Sequence, residues 1–242
     1  MKKIPLQPHP DFIREIRRLR NKNRHFQWDD LQKKPELKKL LHDSKKREHH
    51  SKCGYCECPL EDAHLHIDHF RQRRSHPQLQ FDWDNLVLSC KSDFHCGVFK
   101  DRTQIISDDI FNPYHDNPRM GITFVVEGED GSSFNSHFRR RNSVAAHPLS
   151  EKGSKTIDAF NLNNEKLRFL RRNALYKYES DVNELASLCW SMLEDGCDIS
   201  PLWEIVSPLL QQMEEEPFAS TLIAFAKEKL LPFFPDSWPH ES

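Results

Sequence analysis

The sequence predicts an α+β protein: a small metal-stapled strand-loop-strand-helix unit embedded in a mostly helical chain. Three observations predict it. Cysteines pair at Cys53/Cys56 and again at Cys90/Cys96. Between the pairs lie only short apolar runs, around Leu65–Phe70 and Leu86–Leu88. So little apolar material needs a bound metal to hold a fold. Before and after this block, apolar residues recur at helical spacing.

Composition sets the outer bounds. The chain has 242 residues, enough for one domain or two small ones. Mean hydropathy is -0.77, and 30% of residues are charged. The formal net charge of -2 conceals an asymmetry. Residues 1–50 carry 15 Lys/Arg against 7 Asp/Glu, whereas 151–242 carry 9 against 16. A basic front suits phosphates; an acidic rear suits a protein partner or plain solvent. Met1-Lys2-Lys3 is not followed by an apolar run, and no apolar stretch is long enough to span a bilayer. A cytoplasmic location is therefore expected, where clustered thiolates bind metal rather than form disulfides. Five of the seven cysteines lie within 53–96, and Cys189 and Cys197 stand apart.

Four regions follow in order. Residues 1–50 are a basic helical region. Phe12, Ile16 and Leu19 make one stripe, with Asp11 as a cap. Trp28 to Leu41 is a second helical stretch interrupted by Pro35. The link at 44–52 offers Lys45, Lys46, Arg47, His49 and His50 either as a connector or as phosphate contacts. Residues 51–110 are the metal-stapled core, with a strand at 65–70, a basic loop at 71–80, a strand at 86–88 and a helix from Cys96. Residues 111–155 are a hairpin and loop extension. Its strands are expected at Ile122–Val126 and Phe134–Phe138 around a Gly-Glu-Asp-Gly turn, followed by Arg139-Arg140-Arg141. Residues 156–242 are a helical region suited to partner docking. A helix or turn begins at Thr156, and Asn163 or Asn164 caps the next helix. Further helices fall at 181–194 and 202–231, with a break at Pro208 or Pro217.

The core carries the chemistry. Cys53 and Cys56 sit on one tight turn eased by Gly54, so both thiolates reach one tetrahedral ion. Cys90 and Cys96 complete a four-thiolate zinc set. The wide spacing of that second pair makes His95 a rival to Cys96, and Cys58 is a rival to Cys56. Four protein ligands leave no open position, so this zinc is structural. His69 is the candidate general base, because imidazole accepts a proton near neutral pH. Asp68 offers a carboxylate to Mg²⁺ or Mn²⁺. Neighbouring strand residues face opposite sides, so the two share a site only if the strand bends or the phosphate sits at its edge. Asn85 can bond the loop backbone and keep His69 aimed. Arg71, Arg73 and Arg74 follow the base directly and suit phosphate oxygens. Lys100 either contacts phosphate or packs its stem on the finger.

The segments CGYC, HIDHF, WDNLVLSC and HCGVFK, in that order, resemble HNH nucleases of the ββα-metal type that carry zinc-binding cysteine pairs. The resemblance implies His69 as general base, Asp68 as ligand of the catalytic metal and Asn85 as the residue orienting the loop. The chain departs from the pattern at Gly97, where the family has His or Asn; Lys100 keeps its place. His95, Asp101 or water must then supply the missing ligand, with His95 the favoured choice. FNPYHDNP at 111–118, TIDAFNLN at 156–163 and the following EKLRFLRR resemble a narrower group, the PtuB-like HNH effectors of Septu and retron-associated antiphage systems. This likeness spans about residues 50–175. It implies an ATPase partner of the PtuA-like kind and, in the retron form, a reverse transcriptase whose DNA product restrains the complex. The competing expectation is a zinc-finger adaptor without catalysis, binding nucleic acid or protein. Nothing in the sequence chooses DNA over RNA.

Overall fold

A computed structural model describes residues 1–103, 105–127 and 143–238. The chain divides into two compact units, Lys2–Pro118 with Ala159–Asn161, and Met1 with Arg119–Asp158 and Leu162–Ser242.

The first unit opens with three helices: α1 (Pro10–Lys22), α2 (Trp28–Gln32) and α3 (Pro35–Glu48). Pro10 and Pro35 each start a helix, where a missing N–H costs nothing. The expected break at Pro35 is thus a helix start. Phe12, Ile16 and Leu19 are buried along α1 as their spacing requires. Strands β1 (Leu65–His69) and β2 (Leu86–Cys90) pair antiparallel, Leu65 opposite Cys90 and His69 opposite Leu86. A one-turn helix α4 (Cys96–Lys100) follows. This is a ββα unit.

Behind it lies a buried polar network. Lys45 Nζ donates to Glu48 Oε2, Trp83 O and Tyr114 OH at 2.7–2.8 Å. Trp83 Nε1 donates to Glu48 Oε1 at 2.9 Å. Burial pulls the Lys45 ammonium down to about 8. Lys45 and His49 are therefore inside the protein, and the expectation that they reach phosphate is corrected. The helix turns those two inward while Lys46 stays nearer solvent, because side chains one apart face different directions.

In the second unit, β3 (Ile122–Glu127) pairs antiparallel with β4 (Ser143–Pro148). The strand expected at Phe134–Phe138 and the Arg139–Arg141 run lie outside the described residues. Helix α5 (Glu151–Phe160) begins five residues ahead of the expected Thr156. Ser150 Oγ accepts from Gly153 N there, and a Cβ on Gly153 would collide with Gly121 O at 1.9 Å. Helix α6 (Glu165–Leu175) is capped by Asn164, whose side chain accepts from Lys166 N. Asn163 instead bonds both the N–H and the carbonyl of Ala146 on β4. Helices α7 (Glu179–Glu194), α8 (Trp203–Glu215) and α9 (Ala219–Leu230) complete the unit. Helix α8 runs through Pro208. The ring forfeits one backbone bond near the helix start, and the buried stripe Val206, Leu210 and Met213 outweighs it. The chain breaks around Pro217 instead. Among the described residues, no helix is long and apolar enough to cross a membrane.

Candidate active site and metal centre

The thiolate cluster forms because two backbone turns aim four side chains at one point. Cys53 N donates to Cys58 O, Glu57 N to Cys53 O and Gly54 N to Leu88 O on β2. A Cβ on Gly54 would meet Val87 Cγ1 at 2.7 Å, so the turn approaches the strand only with glycine there. Cys90 ends β2 and Cys96 starts α4 at φ 63. The Sγ atoms of Cys53, Cys56, Cys90 and Cys96 all lie within 4.8 Å of one another, and all four residues are buried. Cys56 Sγ and Cys90 Sγ are 4.0 Å apart. Metal–sulfur bonds of about 2.3 Å in a tetrahedron need sulfurs about 3.8 Å apart, so the set fits a structural ion. Both rivals lie against the same cluster. Cys58 Sγ is 3.2 Å from Cys56 Sγ. His95 Nδ1 is 3.3 Å from Cys96 Sγ and 3.5 Å from Cys90 Sγ. The structure therefore places His95 at the thiolates, where the sequence favoured it as a partner of Asp68.

Asp68 and His69 end β1 on opposite sides, as strand geometry dictates. Asp68 is turned inward, 3% exposed. Its Oδ2 accepts from Tyr55 OH at 2.5 Å and lies 3.1 Å from Lys100 Nζ. Tyr55 is held by stacking on Phe160, centroids 4.1 Å apart. The carboxylate lies directly on Gly97. A Cβ there would sit 2.6 Å from Asp68 Cγ. The departure at position 97 thus has a physical cause, since any side chain would displace Asp68.

His69 is 8% exposed. Trp28 of α2 meets its ring edge-on at a centroid distance of 4.4 Å. Its Nε2 is 3.0 Å from Gln80 O. A carbonyl only accepts, so Nε2 carries the hydrogen and Nδ1 the lone pair. Burial lowers the imidazole to about 4, against the opposing pull of Gln80 and Asp68. The ring is neutral near pH 7, and the burial that keeps it so also makes it a weaker base than a free imidazole.

Asn85 closes the loop between the strands. Its Oδ1 accepts from Arg71 N at 2.7 Å, and its Nδ2 donates to Arg71 O and Leu79 O at 3.1 Å. The next residue after Leu79 supplies the carbonyl that holds His69. Gln80 is tied in turn by its side chain, which accepts from Trp28 N and donates to Gln27 Oε1.

The basic residues divide. Arg71 pairs with Asp108 and Arg73 with Asp29, both exposed. Arg74 has no partner among the described residues. Lys100 is 3% exposed and donates to the carbonyls of His69 and Phe70. The expectation that it contacts phosphate is corrected: the α4 turn points its stem back under β1, and its ammonium is consumed inside. Sequence reasoning missed Tyr55, Gln80 and Trp28. Tyr55 sits within the quoted CGYC turn, and that position was its only signal. Gln80 and Trp28 bond each other 52 positions apart and meet His69 from separate segments, contacts that no spacing records.

The resident groups implied by the resemblance fare differently. Four soft, buried thiolates suit zinc. The Mg²⁺ or Mn²⁺ implied at Asp68 does not fit the site as packed: Asp68 Oδ2 is held by Tyr55 OH and Lys100 Nζ, and Gly97 offers no side chain.

Comparison with known proteins gives two findings. Residues 53–93 match the family model described as HNH endonuclease. A stretch of 85 residues is 33% identical to a Septu protein PtuB of Bacillus thuringiensis, covering 33% of this chain and 32% of that protein. The match thus spans about a third of the curated relative's length.

Proposed function

We propose that this chain, which carries an HNH endonuclease domain at residues 53–93, is a nuclease subunit that hydrolyses phosphodiester bonds in nucleic acid, the toxic effector of an antiphage complex. The observation that carries the reading is the imidazole of His69, fixed by Gln80 O in a loop that Asn85 closes at both ends. An adaptor has no need of a neutral, aimed imidazole. In this reading water gives its proton to Nδ1 as its oxygen attacks phosphorus. The P–O ester bond breaks, and the leaving oxygen takes a proton from solvent.

Arg74, with Arg71 and Arg73 once they leave their exposed acidic partners, holds the phosphate backbone. Such pairs cost little to break in water. Backbone contacts of this kind position without reading sequence. The thiolates of Cys53, Cys56, Cys90 and Cys96 hold structural zinc, which supplies stability and no chemistry. No step is routed through a second metal.

The likeness to a Septu PtuB protein supports an antiphage setting; the partners of this reading, which the motif resemblance implies, are a PtuA-like ATPase and, in a retron setting, a reverse transcriptase with its DNA product. One observation favours the alternative of a non-catalytic zinc-finger adaptor, namely how little of His69 meets solvent. Opening by partner or substrate must then expose the ring. The test is cleavage of DNA and RNA by the chain with its ATPase partner. His69→Ala should abolish it with zinc content unchanged. Equal cleavage by the variant sinks the reading.

A further inference from the structure

The oxygens around Lys100 form a cation site that is already filled. The ammonium lies 2.7 Å from His69 O and 3.0 Å from Phe70 O. It lies 3.1 Å from Asp68 Oδ2 and 3.1 Å from Asp101 Oδ1. Two carboxylates and two carbonyls converging on one point are the hard donors a magnesium or manganese ion takes. Here they surround a side chain that is 4% exposed. An ammonium has three hydrogens, and four oxygens use all of them.

Two features of this site have one explanation. The other oxygen of Asp68 lies against Gly97, where a Cβ would come within 2.8 Å of it. A centre that needs no metal ligand at position 97 can let the carboxylate close onto the backbone there. A divalent ion entering between Asp68 and Asp101 would meet the ammonium at the same point. Expelling it would strand a buried charge, which is strongly unfavourable.

We infer that Lys100 takes the place of a divalent ion at this centre: the chain holds its own cation between Asp68 and Asp101 and binds no magnesium or manganese there. Lys100 is a positioning residue. It clamps the backbone of His69 and Phe70 and neutralises Asp68 beneath them. Charge developing on a phosphoryl group falls to the arginines of the 71–80 loop. The inference rests on the nuclease reading only for this last consequence.

The test reads binding, so a chain that cuts nothing leaves it readable. Zinc-loaded, full-length protein is titrated with Mn²⁺, and free Mn²⁺ is followed by its electron paramagnetic resonance signal. Zinc content and far-ultraviolet circular dichroism establish that each variant is folded. The wild type should show no binding that Asp68→Asn removes. Lys100→Ala, which empties the ammonium's place, should gain a site that a further Asp68→Asn abolishes. Wild-type Mn²⁺ binding weakened about tenfold or more in folded Asp68→Asn would overturn the inference, as would no gain in folded Lys100→Ala. If Lys100→Ala loses its zinc, the wild-type comparison decides alone. Asp101→Asn, whose side chain is half exposed, replaces Asp68→Asn if that variant misfolds.

Discussion

Gly97→Ala adds one methyl group where the structure has no room for it. The new carbon would lie 2.6 Å from Asp68 Cγ, 2.8 Å from Oδ1 and 2.9 Å from Cβ. Ordinary contact begins near 3.4 Å, so the overlap is with a whole carboxylate rather than one flexible tip. Asp68 cannot swing away freely, because Tyr55 OH and Lys100 Nζ hold it. Overpacking of this kind costs about 1–3 kcal/mol. Displacing the carboxylate also weakens hydrogen bonds to a charged group, worth about 1.5–3 kcal/mol. A loss of about 3 kcal/mol is expected, which for a chain of this size lowers Tm by about 6–12 °C. The assay is thermal unfolding of zinc-loaded protein, wild type beside variant. A double-mutant cycle with Asp68→Ala isolates the contact: Gly97→Ala should cost less by about 1–2 kcal/mol once the carboxylate is gone. A Tm within about 2 °C of wild type, or no coupling in the cycle, would refute the packing argument. It would also reopen position 97 to a ligand.

Other consequences are as direct. Cys90→Ser should lose the structural ion and unfold the ββα unit, read as loss of zinc by elemental analysis; full zinc in that variant overturns the ligand set. Lys45 gives a pH dependence. Its folded value, about 8, lies below the 10.5 of the free side chain, so the unfolded chain binds the proton more tightly between those limits. Stability therefore rises with pH through that window, by up to about 3 kcal/mol. Urea unfolding of wild type against Lys45→Gln below and above pH 8 checks this, the variant showing a shallower rise; an equal rise in both refutes it. Arg74→Ala should weaken nucleic-acid binding across sequences and shallow the salt dependence by about one phosphate contact; unchanged titrations at two salt concentrations argue against that contact.

Much of the fold is local enough to read along the chain. The α1 stripe, the Asn164 cap and the close Cys53/Cys56 pair are set by residues within a turn or two of each other. Their physics is periodicity, capping and reach. What the chain leaves open has the opposite character. Of the two prolines that offer a break in 202–231, Pro217 lies at it, while a buried stripe carries α8 through Pro208. The expected first strand of the hairpin is β3, whose described partner is Ser143–Pro148; Phe134–Phe138 lies outside the described residues. Strand pairing depends on which distant segment offers a matching face, and alternation within either strand does not say.

The candidate site divides along the same line. Residue type and order alone brought forward the thiolates, the Asp68–His69 pair and Asn85, because metal binding and proton transfer demand particular atoms. Whether those atoms are open or engaged was settled by packing. Asp68 is consumed by Tyr55 and Lys100, 13 and 32 positions away; Lys100 is drawn beneath β1 rather than out to phosphate; Trp28 closes over His69. Each outcome depends on which side of a strand faces the interior and on what α4 and α2 set against it. Chemistry is written in the identity of side chains, whereas availability is a property of the volume they share.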